Sequence, residues 1–143
     1  MISAQTMLFV ERFEGFRSKP YKLYGVWAIG YGHTIPVYRR LIVDKKQAAR
    51  MLKSDLSKVQ SSIEKSVNNA KFTTYELTAL DDFVYNVGIG NWYKSTMLKL
   101  IRRKEFKLAS RQFIRWSYTC GRWNAGLYKR RLSESLMFLG KLQ

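Results

Sequence analysis

Cysteine is nearly absent from this 143-residue chain: Cys120 stands alone, so no intrachain disulfide and no CxxC metal site can form, and packing must hold the fold. Histidine is as scarce, and His33 by itself cannot build a zinc site. Only 2 prolines occur, with no Gly/Pro/Ser-rich tract, repeat or low-complexity segment, which excludes a linker-joined array and leaves one domain, or two small lobes sharing a core. No apolar run approaches the ~18 residues of a membrane span. The first sixteen residues lack a basic start, a long apolar stretch and a small-residue cleavage site, with Glu11, Arg12 and Glu14 interrupting them. No signal peptide is expected, and the chain should be made soluble in the cytoplasm. Acids are the scarcest charge: 10 Asp+Glu face 26 Lys+Arg, a formal net charge of +16. That excludes an acidic tail protein and points to a polyanionic partner. A hydrophobic content of 46% with 15% aromatics excludes a disordered basic tail.

What is present is helical pattern with one interruption. Ser3 precedes Met7, Leu8 and Val10, predicting a short helix capped by Ser3 and ending near Gly15. From Pro20 to Pro36, Tyr21, Tyr24, Val26, Trp27, Ile29 and Tyr31 interleave with Gly25, Gly30 and Gly32, predicting a small hairpin or meander. Asp44 then opens a long helix whose Ala48, Leu52, Leu56, Val59, Ile63 and Val67 form one stripe. Thr74 is the expected cap of the next helix, with Leu77, Leu80, Val84 and Val87 as its face and Gly88–Gly90 as its stop. Ser95 or Thr96 starts another. Phe106, Ala109, Phe113 and Trp116 read as one apolar helical face with Lys107, Arg111 and Arg115 opposite, and a last helix runs from about Ala125 to Leu139. The fold class is α+β, mostly α-helical. Charge is uneven: residues 97–143 carry 12 basic and 2 acidic side chains, net +10.

Glu14 ends the first helix between Phe13 and Phe16, just before the glycine- and aromatic-rich segment. A carboxyl among aromatics is poorly solvated, and desolvation favours its protonated form, which suits a general acid. The surroundings add a known pattern. Glu14-Gly15-Phe16-Arg17, Tyr21 and the run Gly25-Val26-Trp27-Ala28-Ile29-Gly30-Tyr31-Gly32-His33-Thr34 resemble the N-terminal signature of the phage lysozyme (T4-type endolysin) family. Leu52-Lys53-Ser54-Asp55-Leu56 resembles its LxxDL. Ala79-Leu80-Asp81-Asp82-Phe83-Val84-Tyr85-Asn86-Val87-Gly88 resembles its ALxxFxxNxG, and Ser95-Thr96-Met97-Leu98 its STLL. Trp116, Gly126-Leu127, Arg130-Arg131 and Glu134 resemble its W…GLxxRRxxE. The match runs in order along nearly the whole chain.

The resemblance implies a single lysozyme-like domain, residues 1–143: a small hairpin lobe over about 12–43, a connecting helix over about 44–69, and a larger helical lobe over about 70–143 joined by the N-terminal helix. It implies a muramidase that hydrolyses the β-1,4 bond between N-acetylmuramic acid and N-acetylglucosamine, with Glu14 as general acid and no metal or other cofactor. It implies a His33–Asp55 ion pair between hairpin and long helix, and glycan contacts by Thr34, Tyr85, Asn86 and Thr96. It also implies bacterial peptidoglycan as partner, a monomer, and action on the cell wall after release. At two positions the chain departs from the family: Leu23 stands where the Asp is usual and Ala28 where the Thr is usual, and no acid lies between Glu14 and Asp44. A second catalytic carboxylate is therefore missing locally, and a reduced rate is the expectation.

Other function classes stand beside this one. A catalytically impaired lysozyme-like protein would still grip peptidoglycan. A nucleic-acid-binding protein would use the same charge, though no zinc-finger, RRM or KH signature is present, so only non-specific, salt-sensitive binding is expected. The basic C-terminal third suits attraction to an anionic cell envelope, and residues 97–116 are a candidate membrane-active segment.

Overall fold

The computed structural model describes residues 1–142 and divides into two compact units, Met1–Lys58 and Val59 onward. In the first, helix α1 (Ala4–Glu14) starts where the Ser3 hydroxyl accepts the Thr6 N–H at 3.1 Å, one of the donors a helix start leaves unpaired. It stops at Gly15, whose φ of 68° leaves the helical region while its N–H still donates to the Glu11 carbonyl.

Strands β1 (Arg17–Leu23), β2 (Val26–Gly30) and β3 (His33–Ile35) follow as an antiparallel sheet in the order β1-β2-β3. The sheet begins three residues earlier than the Pro20 read from the sequence, because Arg17 already pairs with Gly30 across a register irregularity between Arg17 and Tyr21. Pro20, which has no N–H to give, falls in that irregular stretch. Tyr24 and Gly25 turn the chain between β1 and β2, both at positive φ (50° and 79°), the twist a two-residue hairpin needs.

Helix α2 (Lys45–Ser66) is opened by reciprocal bonds. The Gln47 N–H donates to Asp44 Oδ1 at 2.7 Å, and the Asp44 N–H donates to Gln47 Oε1 at 2.8 Å. Of the predicted stripe, Ala48, Leu52, Leu56, Ile63 and Val67 are buried, while Val59 is half-buried.

The second unit contains α3 (Thr74–Val87), α4 (Ile89–Lys94), α5 (Thr96–Arg102), α6 (Phe106–Ser110), a single turn of tighter helix (Phe113–Trp116), the short hairpin strands β4 (Tyr118–Thr119) and β5 (Arg122–Trp123), and α7 (Ala125–Phe138). Four expectations change. Thr73, not Thr74, caps α3: its hydroxyl accepts the Glu76 N–H, and the Glu76 carboxylate accepts the Thr73 N–H. Only Gly88 stops α3, at φ 92°, and Gly90 lies inside α4. The Phe106–Trp116 face is not one helix, because the chain turns at Arg111 and Gln112 between α6 and the tighter turn. The β4–β5 hairpin, closed by Cys120 and Gly121 at φ 49° and 75°, went unforeseen because its strands are two residues long.

The core of this unit lies where α3 and α7 face each other. Phe83 meets Phe113 and Trp116 edge-on, with ring centroids 5.3 and 5.7 Å away. Buried Trp92 donates its indole N–H to the Ser66 hydroxyl at 2.9 Å, so its polar edge is satisfied. No helix among the described residues is long and apolar enough to cross a membrane.

Candidate active site

Glu14 is the last residue of α1, half-buried, and Gly15 turns the chain directly from it into the sheet. Aromatic rings gather at this end of the first unit. Phe13 meets Phe9 edge-on at 5.3 Å, and Phe16 lies 5.7 Å from Tyr31. Tyr21 on β1 is near enough to sense the carboxylate. Its phenol is pushed up from its ordinary value, first by burial and next by the negative charge of Glu14, with Arg17 acting the other way. The Arg17 guanidinium sits 4.8 Å from the centre of the Tyr21 ring. Tyr21 therefore remains a neutral phenol at neutral pH, able both to donate and to accept.

Strand pairing fixes what lies beside Tyr21. It stands opposite Ala28, and Ala28 stands opposite Thr34. Residues directly opposite in a sheet share a face, so Tyr21, Ala28 and Thr34 form a row across the three strands. Ala28 is buried and Thr34 exposed. Leu23, at the hairpin end of β1 opposite Val26, is 55% exposed. At the positions where the family pattern carries a carboxylate and a hydroxyl, the sheet holds an exposed leucine and a buried alanine.

His33 opens β3 and reaches α2: its Nδ1 and Asp55 Oδ2 are 2.7 Å apart, a hydrogen bond between two partly exposed side chains. Thr34, the next residue, is held by the same strand. Thus Glu14, His33, Thr34 and Asp55 all belong to the first unit, in two neighbouring constellations.

Tyr85, Asn86 and Thr96 belong to the second unit. Tyr85 and Asn86 lie in the last turn of α3, half-buried and exposed respectively. Thr96 is exposed at the first position of α5, and Ser95 does the capping by accepting the Leu98 N–H. Asn86 is anchored from below. Its Oδ1 accepts a hydrogen bond from the Arg131 guanidinium, which has donors only, so the amide must turn its oxygen inward and its NH2 outward.

Arg131 is part of a buried charge cluster that the sequence signalled only through the paired Asp81-Asp82 and the RRxxE spacing. Arg130 grips Asp82 with two bonds, Nε to Oδ2 at 2.9 Å and NH2 to Oδ1 at 2.8 Å. Arg131 Nε lies 3.3 Å from Glu134 Oε2. Glu134 is wholly buried, and its carboxyl is pushed well above the usual range by desolvation and then by hydrogen bonding to, and the charge of, Asp82. Arg130 and Arg131 bring two guanidinium groups into this cluster, and the Arg131 group that reaches Asn86 polarises its amide towards stronger donation. Among the described residues no three His, Cys, Asp or Glu converge as a metal site would require.

A helix-end glutamate leading into a three-stranded antiparallel sheet tied to a long helix, followed by a helical unit, defines the lysozyme-like class of α+β proteins. The comparisons narrow it. The family described as phage lysozyme matches residues 11–134, and the chain belongs to that family. It is 31% identical over 142 residues to an endolysin of Bacillus phage B103, covering 96% of this chain and 54% of that protein. The chain thus spans about half the length of that relative. A SAR-endolysin of bacteriophage PS119 is 35% identical over 133 residues, covering 90% of this chain and 78% of the other. Among solved structures, the muramidase domain of SpmX from Asticaccaulis excentricus superposes with a TM-score of 0.89 at 28% identity, covering 97% of each chain.

Proposed function

We propose that the chain is a peptidoglycan muramidase of the endolysin type, cleaving the β-1,4 bond between N-acetylmuramic acid and N-acetylglucosamine with Glu14 as general acid. The observation that carries the reading is the placement of Glu14 at the end of α1, where Gly15 turns the chain into the sheet and the Glu14 charge reaches Tyr21, in a chain of the phage lysozyme family. Glu14 gives its proton to the glycosidic oxygen as the bond to the anomeric carbon breaks. A water adds its oxygen to that carbon, and the proton it sheds restores the acid through solvent. The water-holding role falls to the hydroxyls of Tyr21 and Thr34, the polar members of the row that passes over Ala28. Tyr24, 76% exposed at the hairpin turn, is the poorer candidate.

Thr34, Tyr85, Asn86 and Thr96 contact glycan in this reading. Asn86 offers N–H to an acceptor such as an acetamido carbonyl, and the His33–Asp55 bond holds the strand that carries Thr34. The C-terminal third draws the protein to an anionic envelope, and the monomer acts on the wall after release. Loss of turbidity of a peptidoglycan suspension tests the mechanism. Glu14→Gln should slow lysis by about 100-fold or more, the usual worth of a general acid. Equal rates for parent and variant would remove Glu14 from the chemistry. Because Leu23 and Ala28 bring no second catalytic group, the other outcome with meaning is co-sedimentation with the wall and no lysis by either protein, which marks a glycan binder.

A further inference from the structure

The second unit carries a pocket of about 640 Å3 that the hydrolytic reading does not use. Its apolar lining is Phe106, Phe138 and Leu139, and its cationic lining is Lys107, Arg111 and Lys141. Phe138 is buried and stacks edge-on with Phe106 and Phe113, at 6.2 and 5.6 Å, so the floor is rigid. Leu139 is 40% exposed, an alkyl group at the rim. Among the described residues no carboxylate lies within ion-pair distance of Lys107, Arg111 or Lys141. The one acid in the lining, Glu76, already accepts the Thr73 N–H at 2.8 Å in the α3 cap.

Three cations with no carboxylate partner among the described residues, around an apolar floor and in a volume typical of small-molecule sites, ask for a ligand with an anionic head and an alkyl body. We propose that this pocket is a docking site for the anionic phospholipid of a bilayer, seating one headgroup between Lys107, Arg111 and Lys141 and the start of one acyl chain on Phe138 and Leu139. Nucleic acid satisfies the cations but offers no alkyl chain to the floor. The inference goes beyond diffuse attraction to an anionic envelope, because it assigns the contact to one pocket. It is also independent of the hydrolytic reading, since Glu14 takes no part.

Co-sedimentation of the full chain with phosphatidylglycerol vesicles, against phosphatidylcholine vesicles, tests it. Each Lys or Arg near an anionic bilayer contributes roughly fivefold to partitioning, so Lys107→Ala with Arg111→Ala should lower binding about 25-fold. Leu139→Ser should lower it a further ~5-fold through the lost alkyl contact. The exposed pair Arg122→Ala with Lys129→Ala removes equal charge outside the pocket and should cost far less. Glu14→Gln should bind as the parent does. All the substituted side chains of the pocket are exposed, so thermal midpoints should stay at the parent value. An equal loss for the two charge pairs would overturn the proposal in favour of diffuse charge. So would a silent Leu139→Ser, and a duplex DNA affinity falling in step with vesicle binding would then assign the groove to polyanions.

Discussion

Asp81 is wholly buried in α3 and takes no part in the proposed chemistry. It accepts a hydrogen bond from Gln60 Nε2 at 2.7 Å on Oδ2, and Oδ1 has no hydrogen-bond partner. Its carboxyl is pushed up to about 7, first by desolvation, which the Gln60 bond opposes and the charge of Glu64 reinforces. Between an unfolded value of 3.8 and a folded value of about 7, the folded chain holds a proton that the unfolded chain has released. This group's contribution to stability is therefore fully present below about pH 4 and lost as pH rises through about 7, a swing of up to about 4 kcal/mol. Asp81→Asn keeps an acceptor for Gln60 and removes the titration. Its thermal midpoint should exceed the parent's at pH 8, and the gain should vanish towards pH 4. A pH-independent difference would show that Asp81 does not titrate in this range. The carboxyl of Glu134, also pushed up by burial and by Asp82, acts with the same sign. Residues of this kind separate what a sequence displays from what it conceals. Glu14 and His33 are legible because each sits in a motif of contiguous residues. Tyr21's closeness to Glu14, and the Asp82–Arg130 grip across 48 positions, depend on packing that no local pattern encodes.

At the scale of elements, the join between sheet and long helix is the sharpest test of the hairpin motif. Gly30 ends β2 at φ 68°, and a Cβ built there would stand 3.0 Å from the Ala48 Cβ on α2. Glycine is needed twice over at this one position, for backbone conformation and for close approach. Gly30→Ala should cost about 2–4 kcal/mol, combining the left-handed penalty with overpacking against α2. For a chain of this size that lowers the thermal midpoint by roughly 5–10 °C. Gly30→Ala with Ala48→Gly should recover part of the loss, since only the contact is relieved. No recovery would mean that backbone conformation alone demands the glycine. The helices were legible to the extent that their signals were long. α1, α2 and α7 emerged from caps and stripes, whereas α4 follows Gly88 without a side-chain cap and the 106–116 stretch keeps helical spacing while its backbone turns at Arg111. Apolar spacing reports which residues face a core, and a broken backbone can still bring Phe106, Ala109, Phe113 and Trp116 to one.

For the whole molecule, the proposed function assigns encounter to the +16 of charge and chemistry to the Glu14 site, and salt separates the two. Net +10 sits in residues 97–143, whereas Glu14 and the hairpin belong to the first unit. Attraction between exposed cations and an anionic wall acts over about 10 Å at 0.1 M salt and about 3 Å at 1 M. In the proposed reading it concentrates the protein on the wall without entering the bond-breaking step. Lysis of intact walls should therefore slow about tenfold between 0.05 and 0.5 M salt, mostly through a higher apparent KM. Cleavage of a short, soluble N-acetylmuramic acid–N-acetylglucosamine oligomer should change less than about twofold over the same range, because its few lactyl carboxylates set up little long-range field. Reversing exposed cations such as Lys107, Arg122 and Lys129 to Glu should reproduce the high-salt behaviour on walls at low salt and leave the short glycan unaffected. Equal salt sensitivity for the two substrates would place the effect in the fold or the site. The charge that dominates the composition would then be acting on catalysis itself, and the division of labour between the basic third and Glu14 would fail.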